Sequence, residues 1–131
     1  PHPGEMGLLL SRSPGDVQGD RWGTAREACE ATEATVVLKG AGTCIAGQGH
    51  PLGVNMSGNP GMASAGTGDV LAGMLAGLTA QGLDPYDAAR AAVYMHGRAG
   101  DRAAIRLSEA GAIAGDLLAE IPLVFRELGA R

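Results

Sequence analysis

Aromatic residues are nearly missing from this 131-residue chain: Trp22, Tyr86, Tyr94 and Phe125 are all it has. A core must therefore be assembled from Ala, Val, Leu and Met, each of which buries less area than an aromatic ring. Basic charge is also scarce. Ten Lys and Arg stand against 14 Asp and Glu, for a formal net charge of -4, without long blocks of either sign. That excludes the basic face a nucleic-acid binder needs. No apolar run reaches the ~18 residues of a membrane-spanning helix, so no membrane association is expected. Only two cysteines occur, Cys29 and Cys44. Their spacing is not that of a metal site, and they read as free thiols in a reducing cytoplasm. The start carries no basic stretch followed by an apolar one, so no secretory leader is expected. The length suits one domain rather than two.

What the chain has in excess is glycine, 22 of 131 residues, well over twice the usual share of about 7%. The glycines cluster at 40–49 and 58–68, and chains concentrate glycine where backbone bends sharply or approaches a ligand closely. Around these clusters the pattern alternates between strands and helices. Pro1-His2-Pro3-Gly4 is expected to be an irregular turn, with a short helix from Glu5 to Leu10. Ser13 to Asp16 reads as a turn and Asp20 to Thr32 as a helix. Residues 35–39 are β-branched and almost continuously apolar, as in a parallel sheet buried on both faces. A turn at Gly40–Gly42 leads to a strand at 43–46, and another at 47–51 to a strand at 52–56.

Residues 57–66 read as a loop. From Thr67 to Gln81 the pattern is helical, with Val70, Leu71, Met74, Leu75 and Leu78 on one stripe. Its other face, Ala72, Gly73, Ala76 and Gly77, is expected to pack closely against neighbouring backbone. Asp84 as N-cap and Pro85 in the first turn start a helix that runs to about Ala104. A last helix is expected from Glu109 to Ile121, turning Ile113, Leu117, Leu118 and Ile121 to the core, with Pro122 breaking or kinking it.

The segment richest in chemistry runs from Asn59 to Leu71, a glycine-rich loop that enters the start of a helix directly. The first helical N–H groups have no intrahelical partner, and the helix dipole places partial positive charge there. A phosphate or a developing phosphoryl anion suits that cup, and Gly66 and Gly68 carry no side chain to obstruct it. Asp69 reads in two ways. It is either a carboxylate favoured in a first helical turn, or a general base beside the cup that takes the proton from an attacking hydroxyl.

Gly66-Thr67-Gly68-Asp69 followed by an apolar, small-residue helix resembles the second signature of ribokinase-like small-molecule kinases. Asn59-Pro60-Gly61-Met62-Ala63, Pro1-His2-Pro3-Gly4-Glu5, Val37-Leu38-Lys39-Gly40-Ala41-Gly42-Thr43 and Val93-Tyr94-Met95-His96-Gly97-Arg98-Ala99-Gly100-Asp101 narrow it. Together, in order along the whole chain, they resemble the ADP/ATP-dependent NAD(P)H-hydrate dehydratases. The resemblance implies an α/β, ribokinase-like three-layer fold, of which this chain would hold the C-terminal part of the sheet and its helices. It implies dehydration of hydrated NADH or NADPH at the expense of ADP or ATP, with Mg²⁺ bridging the nucleotide phosphates. In that scheme Asp69 is the base, and Ala65, Gly66, Thr67 and Gly68 form the anion hole. Lys39, Gly40, Ala41, Gly42, Thr43 and Gly68 hold the nucleotide, and His2 contacts the hydrate together with Asp69. Glu5 either holds His2 or is an exposed first-turn carboxylate.

Other polar residues read more plainly. Asn59 positions the loop through local hydrogen bonds, His96 is a satisfied core histidine rather than a ligand, and Asp101 and Asp116 are caps or surface residues. No cluster of His, Cys and Asp resembles a protein metal cage. The family pattern is about twice this length, so residues 1–131 are expected to be the C-terminal portion of a single domain, associating with a complementing N-terminal half or as a homo-oligomer. Two other functions stay open on the residues. One is a ribokinase-like kinase for a vitamin-precursor alcohol, the other a non-catalytic nucleotide-binding or assembly module.

Overall fold

The computed structural model describes residues 1–129, which divide into two compact units: residues 1–55 with 85–90, and residues 56–84 with those from 91 onward. The first unit contains helices α1 (Pro3–Leu10), α2 (Pro14–Gly19) and α3 (Arg21–Thr32), and strands β1 (Val36–Leu38), β2 (Thr43–Ala46) and β3 (Gly53–Asn55). Helix α1 begins at Pro3, two residues before the expected Glu5. Proline costs nothing at a first helical position, whose N–H has no partner in any case. His2 supplies the cap: its Nδ1 accepts from the Gly4 and Glu5 amides at 3.0 and 3.2 Å, and the Glu5 carboxylate accepts from the His2 N–H at 2.6 Å. The expected turn at Ser13–Asp16 is likewise a helix start, since Ser13 and Asp16 cap one another in the same reciprocal manner around Pro14.

The strands lie where expected to within a residue or two, but their pairing differs. They form an antiparallel sheet in the order β1-β2-β3, with Val37 opposite Ile45 and Cys44 opposite Val54. The links between them are too short for anything else, because a parallel crossover needs about a dozen residues. Helix α3 covers this sheet, and Met6, Val17, Ala28, Cys29, Leu38 and Cys44 form its core.

In the second unit lie α4 (Thr67–Ala80), a 3-10 turn at Pro60–Met62 inside the expected loop, α6 (Ala114–Glu127), and most of α5 (Pro85–Leu107), whose opening turns belong to the first unit. On α4, Leu71 and Leu78 are buried and Val70, Met74 and Leu75 half-buried, as their stripe predicts. The opposite face does not pack as expected. Ala72, Gly73, Ala76 and Gly77 are exposed, and no atom lies within 4 Å of where a Cβ on Gly73 or Gly77 would sit.

Helix α6 also departs from expectation. It starts at Ala114 and continues through Pro122 to Glu127, with Ile113 and Leu118 exposed and Leu117 and Val124 buried. A proline removes the bond to the carbonyl four residues earlier. That carbonyl belongs to Leu118, an exposed residue of the helix. Ion pairs on both sides of Pro122 hold the two segments. Before it, the buried Glu120 carboxylate takes Arg102 Nε at 2.9 Å and Arg106 Nε at 3.0 Å. After it, Glu127 pairs with Arg102 and Arg98. Arg98, Arg102 and Arg106 repeat every fourth residue, so α5 presents one basic row to the acidic face of α6. Asp116 caps α6 by accepting from the Ile113 amide at 2.9 Å. No helix of the described residues is long and apolar enough to cross a membrane.

The hydrogen bond from Arg106, then that from Arg102, holds the Glu120 carboxyl below the usual carboxylate range against the opposing effect of burial. A depressed carboxyl pKa contributes stability that is complete above its unfolded value and is lost as pH falls through the folded one. Glu120→Gln should therefore flatten the acid limb of the stability-pH curve, measured by thermal unfolding between neutral pH and the acid range. At neutral pH the loss should be about 1–2 kcal/mol, less than for a fully buried pair because both arginines are partly solvated.

Candidate functional site

The glycine-rich loop lies on one face of α5. Ser57 Oγ donates to the Tyr94 carbonyl at 3.0 Å. Asp101 accepts from the Gly58 amide at 3.1 Å and from Asn59 Nδ2 at 3.2 Å, and Asn59 Oδ1 accepts from the Gly61 amide at 3.1 Å. Asn59 thus orders the loop locally, as expected. Asp101 is neither a cap nor a surface residue. Its hydrogen-bond partners lie more than forty residues back along the chain, where no local pattern could reveal them. Gly97 and Gly100 make the fit possible, because a Cβ on either would run into Ser57 or Met62 respectively.

The loop closes on itself at the start of α4. Thr67 Oγ1 lies 2.8 Å from the Met62 carbonyl and 2.9 Å from that of Ser64, to which its hydroxyl donates. Gly66, the N-cap, has φ 88° and offers no side-chain cap. The Asp69 and Val70 amides both turn back to the Gly66 carbonyl, at 3.1 and 3.2 Å. Among the described residues the N–H groups of Ala65, Gly66 and Gly68 have no protein partner. Three open amides at the positive end of a 14-residue helix are an anion-binding arrangement. Asp69 is exposed at its edge. His96 is satisfied, as expected, with Nε2 2.9 Å from the Thr67 carbonyl oxygen.

In the first unit the turn from Lys39 to Thr43 uses two left-handed glycines, Gly40 at φ 139° and Gly42 at φ 63°. Thr43 Oγ1 donates to the Gly40 carbonyl at 2.9 Å. The sequence reading missed Arg21, whose Nη2 reaches the carbonyls of Leu38, Lys39 and Gly42 at 3.0, 3.3 and 3.4 Å. One guanidinium therefore turns three carbonyl oxygens of this loop inward. Glu5 brings His2 and Lys39 together: its Oε1 lies 3.3 Å from His2 Nε2 and its Oε2 3.6 Å from Lys39 Nζ. The His2 amide bond, and then the Lys39 and His2 charges, hold the exposed Glu5 carboxyl below its ordinary range. Ala65 to Asp69 assemble in the second unit with His96 and Asp101, while His2, Glu5 and Lys39 assemble in the first. Among the described residues no group of three or more His, Cys, Asp or Glu is placed to hold a metal ion.

The pattern of the NAD(P)H-hydrate dehydratase family matches residues 1–123. The chain belongs to that family. It is 47% identical over 128 residues to a bifunctional NAD(P)H-hydrate repair enzyme of Moorella thermoacetica, covering 98% of this chain and 24% of that protein. The crystal structure of an ADP/ATP-dependent NAD(P)H-hydrate dehydratase from Bacillus subtilis, co-crystallised with ATP and Mg²⁺, superposes with a TM-score of 0.92 at 32% identity, over 97% of this chain and 46% of that one. A ribokinase-like superfamily protein from Enterococcus faecalis superposes with a TM-score of 0.83 at 27% identity, over 100% and 44%. The fold is therefore ribokinase-like, and this dehydratase-family chain spans less than half the length of the proteins it matches.

Within it, Gly66 is poorly able to accept a side chain. Its φ of 88° is strained for any L residue, and a new Cβ would meet Ala114 Cβ at 3.1 Å. Gly66→Ala should lower stability by about 1–2 kcal/mol in a denaturant titration. Gly73→Ala, in open helix on α4, should raise it by up to ~1 kcal/mol.

Proposed function

We propose that this chain carries the nucleotide-phosphate and catalytic portion of an ADP- or ATP-dependent NAD(P)H-hydrate dehydratase, acting in the cytoplasm. The observation that carries the reading is the set of open amides at Ala65, Gly66 and Gly68, with an exposed carboxylate, Asp69, at its edge. Such a cup stabilises charge that develops on a transferred phosphoryl group, and it is already built before the reaction begins. The substrate is the hydrated nicotinamide ring, whose added hydroxyl attacks the terminal phosphoryl group. Asp69 takes the hydroxyl proton as the new P–O bond forms and the bond to the departing nucleotide breaks. Breaking of the ring C–O bond, with loss of a proton from the adjacent ring carbon, then releases inorganic phosphate and restores the reduced cofactor.

Binding is divided among the remaining residues. The Lys39–Thr43 turn, with Lys39, Gly40, Ala41, Gly42 and Thr43 and the Gly68 amide, receives the nucleotide. His2, held by Glu5, contacts the hydrate. Mg²⁺ supplies charge neutralisation between nucleotide phosphates when bound.

Incubating the complete natural polypeptide with hydrated NADH and ADP or ATP, and following the regained absorbance of the reduced nicotinamide, tests the reading. Asp69→Asn should lower turnover by about 100-fold or more while nucleotide affinity in calorimetry stays near wild type. Near-normal turnover in that variant would remove Asp69 from its role. A vitamin-precursor kinase would instead phosphorylate its alcohol and leave hydrated NADH untouched.

The residues present are read as the C-terminal portion of one dehydratase domain, in keeping with the 46% of the Bacillus subtilis chain that they span. Residues 1–131 alone should accordingly show no dehydratase activity, and light scattering should report association. Co-expression with an N-terminal half of a dehydratase should restore a nucleotide-binding particle. Full activity from a monodisperse 131-residue monomer would overturn this assignment of the domain.

A further inference from the structure

His96 lies in the middle of α5, 9% exposed, and the reaction assigned to Asp69 does not use it. Its Nε2 is 2.9 Å from the Thr67 carbonyl oxygen. A carbonyl oxygen only accepts, so Nε2 carries the hydrogen and the imidazole donates. Burial pushes the ring below the ordinary histidine pKa, and the bond to Thr67 offsets that only in part. The side chain is therefore a neutral donor fixed in one tautomer, aimed at one backbone oxygen.

That oxygen belongs to the peptide unit joining Thr67 to Gly68. A peptide unit is planar and trans, so its carbonyl and its N–H point in opposite directions. Holding the Thr67 oxygen holds the Gly68 N–H, one of the open amides of the cup. In a helix the carbonyls point toward the C-terminus, so the Gly68 N–H points out of the α4 start. Helix ends fray unless something ties them, and α4 has no side-chain cap, because its N-cap is Gly66. His96 ties the first turn from a second element. Five residues further along α5, Asp101 holds the other end of the loop through Gly58 and Asn59. Helix α5 thus grips the loop at its entrance and at its exit.

We infer that His96 is a positioning residue of the phosphate cup, donating to the Thr67 carbonyl so that the Gly68 amide stays aimed at a bound phosphate. The inference rests on reading Ala65–Gly68 as the anion site. A peptide whose carbonyl accepts a second hydrogen bond is also the better donor at its N–H. His96 thereby acts on the phosphate through the backbone, without touching it.

The test compares wild type, His96→Leu and His96→Gln in the complete natural polypeptide. ADP and adenosine affinities are measured by calorimetry, the first-turn hydrogen bond by hydrogen exchange at the Val70 amide, and stability by thermal unfolding. His96→Leu should weaken ADP binding by about tenfold, the scale of one lost hydrogen bond. Adenosine, which carries no phosphate, should bind as before, and Val70 should exchange faster. His96→Gln places an amide donor near the Nε2 position and should recover most of the ADP affinity. Unchanged ADP affinity and unchanged Val70 exchange in His96→Leu would overturn the inference. So would equal losses for ADP and adenosine with no recovery in His96→Gln, which would mark a residue of packing alone. A wild type that binds neither ADP nor ATP overturns the anion-site reading and this inference together. Full turnover in Asp69→Asn removes only the base.

Discussion

Asp101, on α5, holds the amide of Gly58 and the side chain of Asn59, and much of the second unit's chemistry depends on that grip. The segment before α4 has almost no regular structure of its own, so its backbone groups must find partners outside any helix or strand. They find them on α5 and in the Met62 and Ser64 carbonyls that take the Thr67 hydroxyl. With these satisfied, the amides of Ala65, Gly66 and Gly68 stay open toward a ligand instead of being spent on holding the loop together. Selective satisfaction of this kind makes a glycine-rich segment a site. Gly97 and Gly100 take part by lacking side chains, since a Cβ on either would push the loop off the helix.

The first unit solves a similar problem with a cation. Arg21 gathers the Leu38, Lys39 and Gly42 carbonyls, which fixes the turn between β1 and β2. Two left-handed glycines allow that turn, and its lysine is paired with Glu5. In both units a charged side chain from a helix immobilises a loop by bonding to its backbone. The sign follows the groups that need holding, a carboxylate for donors and a guanidinium for carbonyls.

The three strands, the loop at 57–66 and the α4 stripe were legible in the sequence because they are local patterns of period and glycine placement. The antiparallel pairing follows from the short links at 40–42 and 47–52, which a reading based on the apolarity of 35–39 alone passed over. Proline misled it three times. Pro3 and Pro14 sit at first helical positions under the His2–Glu5 and Ser13–Asp16 caps, and Pro122 sits inside α6, where ion pairs at Glu120 and Glu127 bridge it. Of the polar residues that order the loops, Arg21 and Asp101 act over seventeen residues or more, a distance at which one sequence carries no periodic trace. Glu120 was hidden likewise, because its burial depends on arginines from another helix. The family strings were legible because each is contiguous, and their order along the chain carried more than any one of them.

The cap on α1 has a chemical consequence of its own. His2 Nδ1 accepts two backbone hydrogens, so its lone pair is occupied for as long as the first helix is intact. A neutral ring in that position must carry its hydrogen on Nε2, and a protonated one carries it there as well. Its Nε2 edge, 3.3 Å from Glu5 Oε1, therefore presents a hydrogen, never a lone pair. The residue is polarised in one sense by the helix it starts: it can greet an oxygen, but it cannot draw a proton away without first unwinding its own turn.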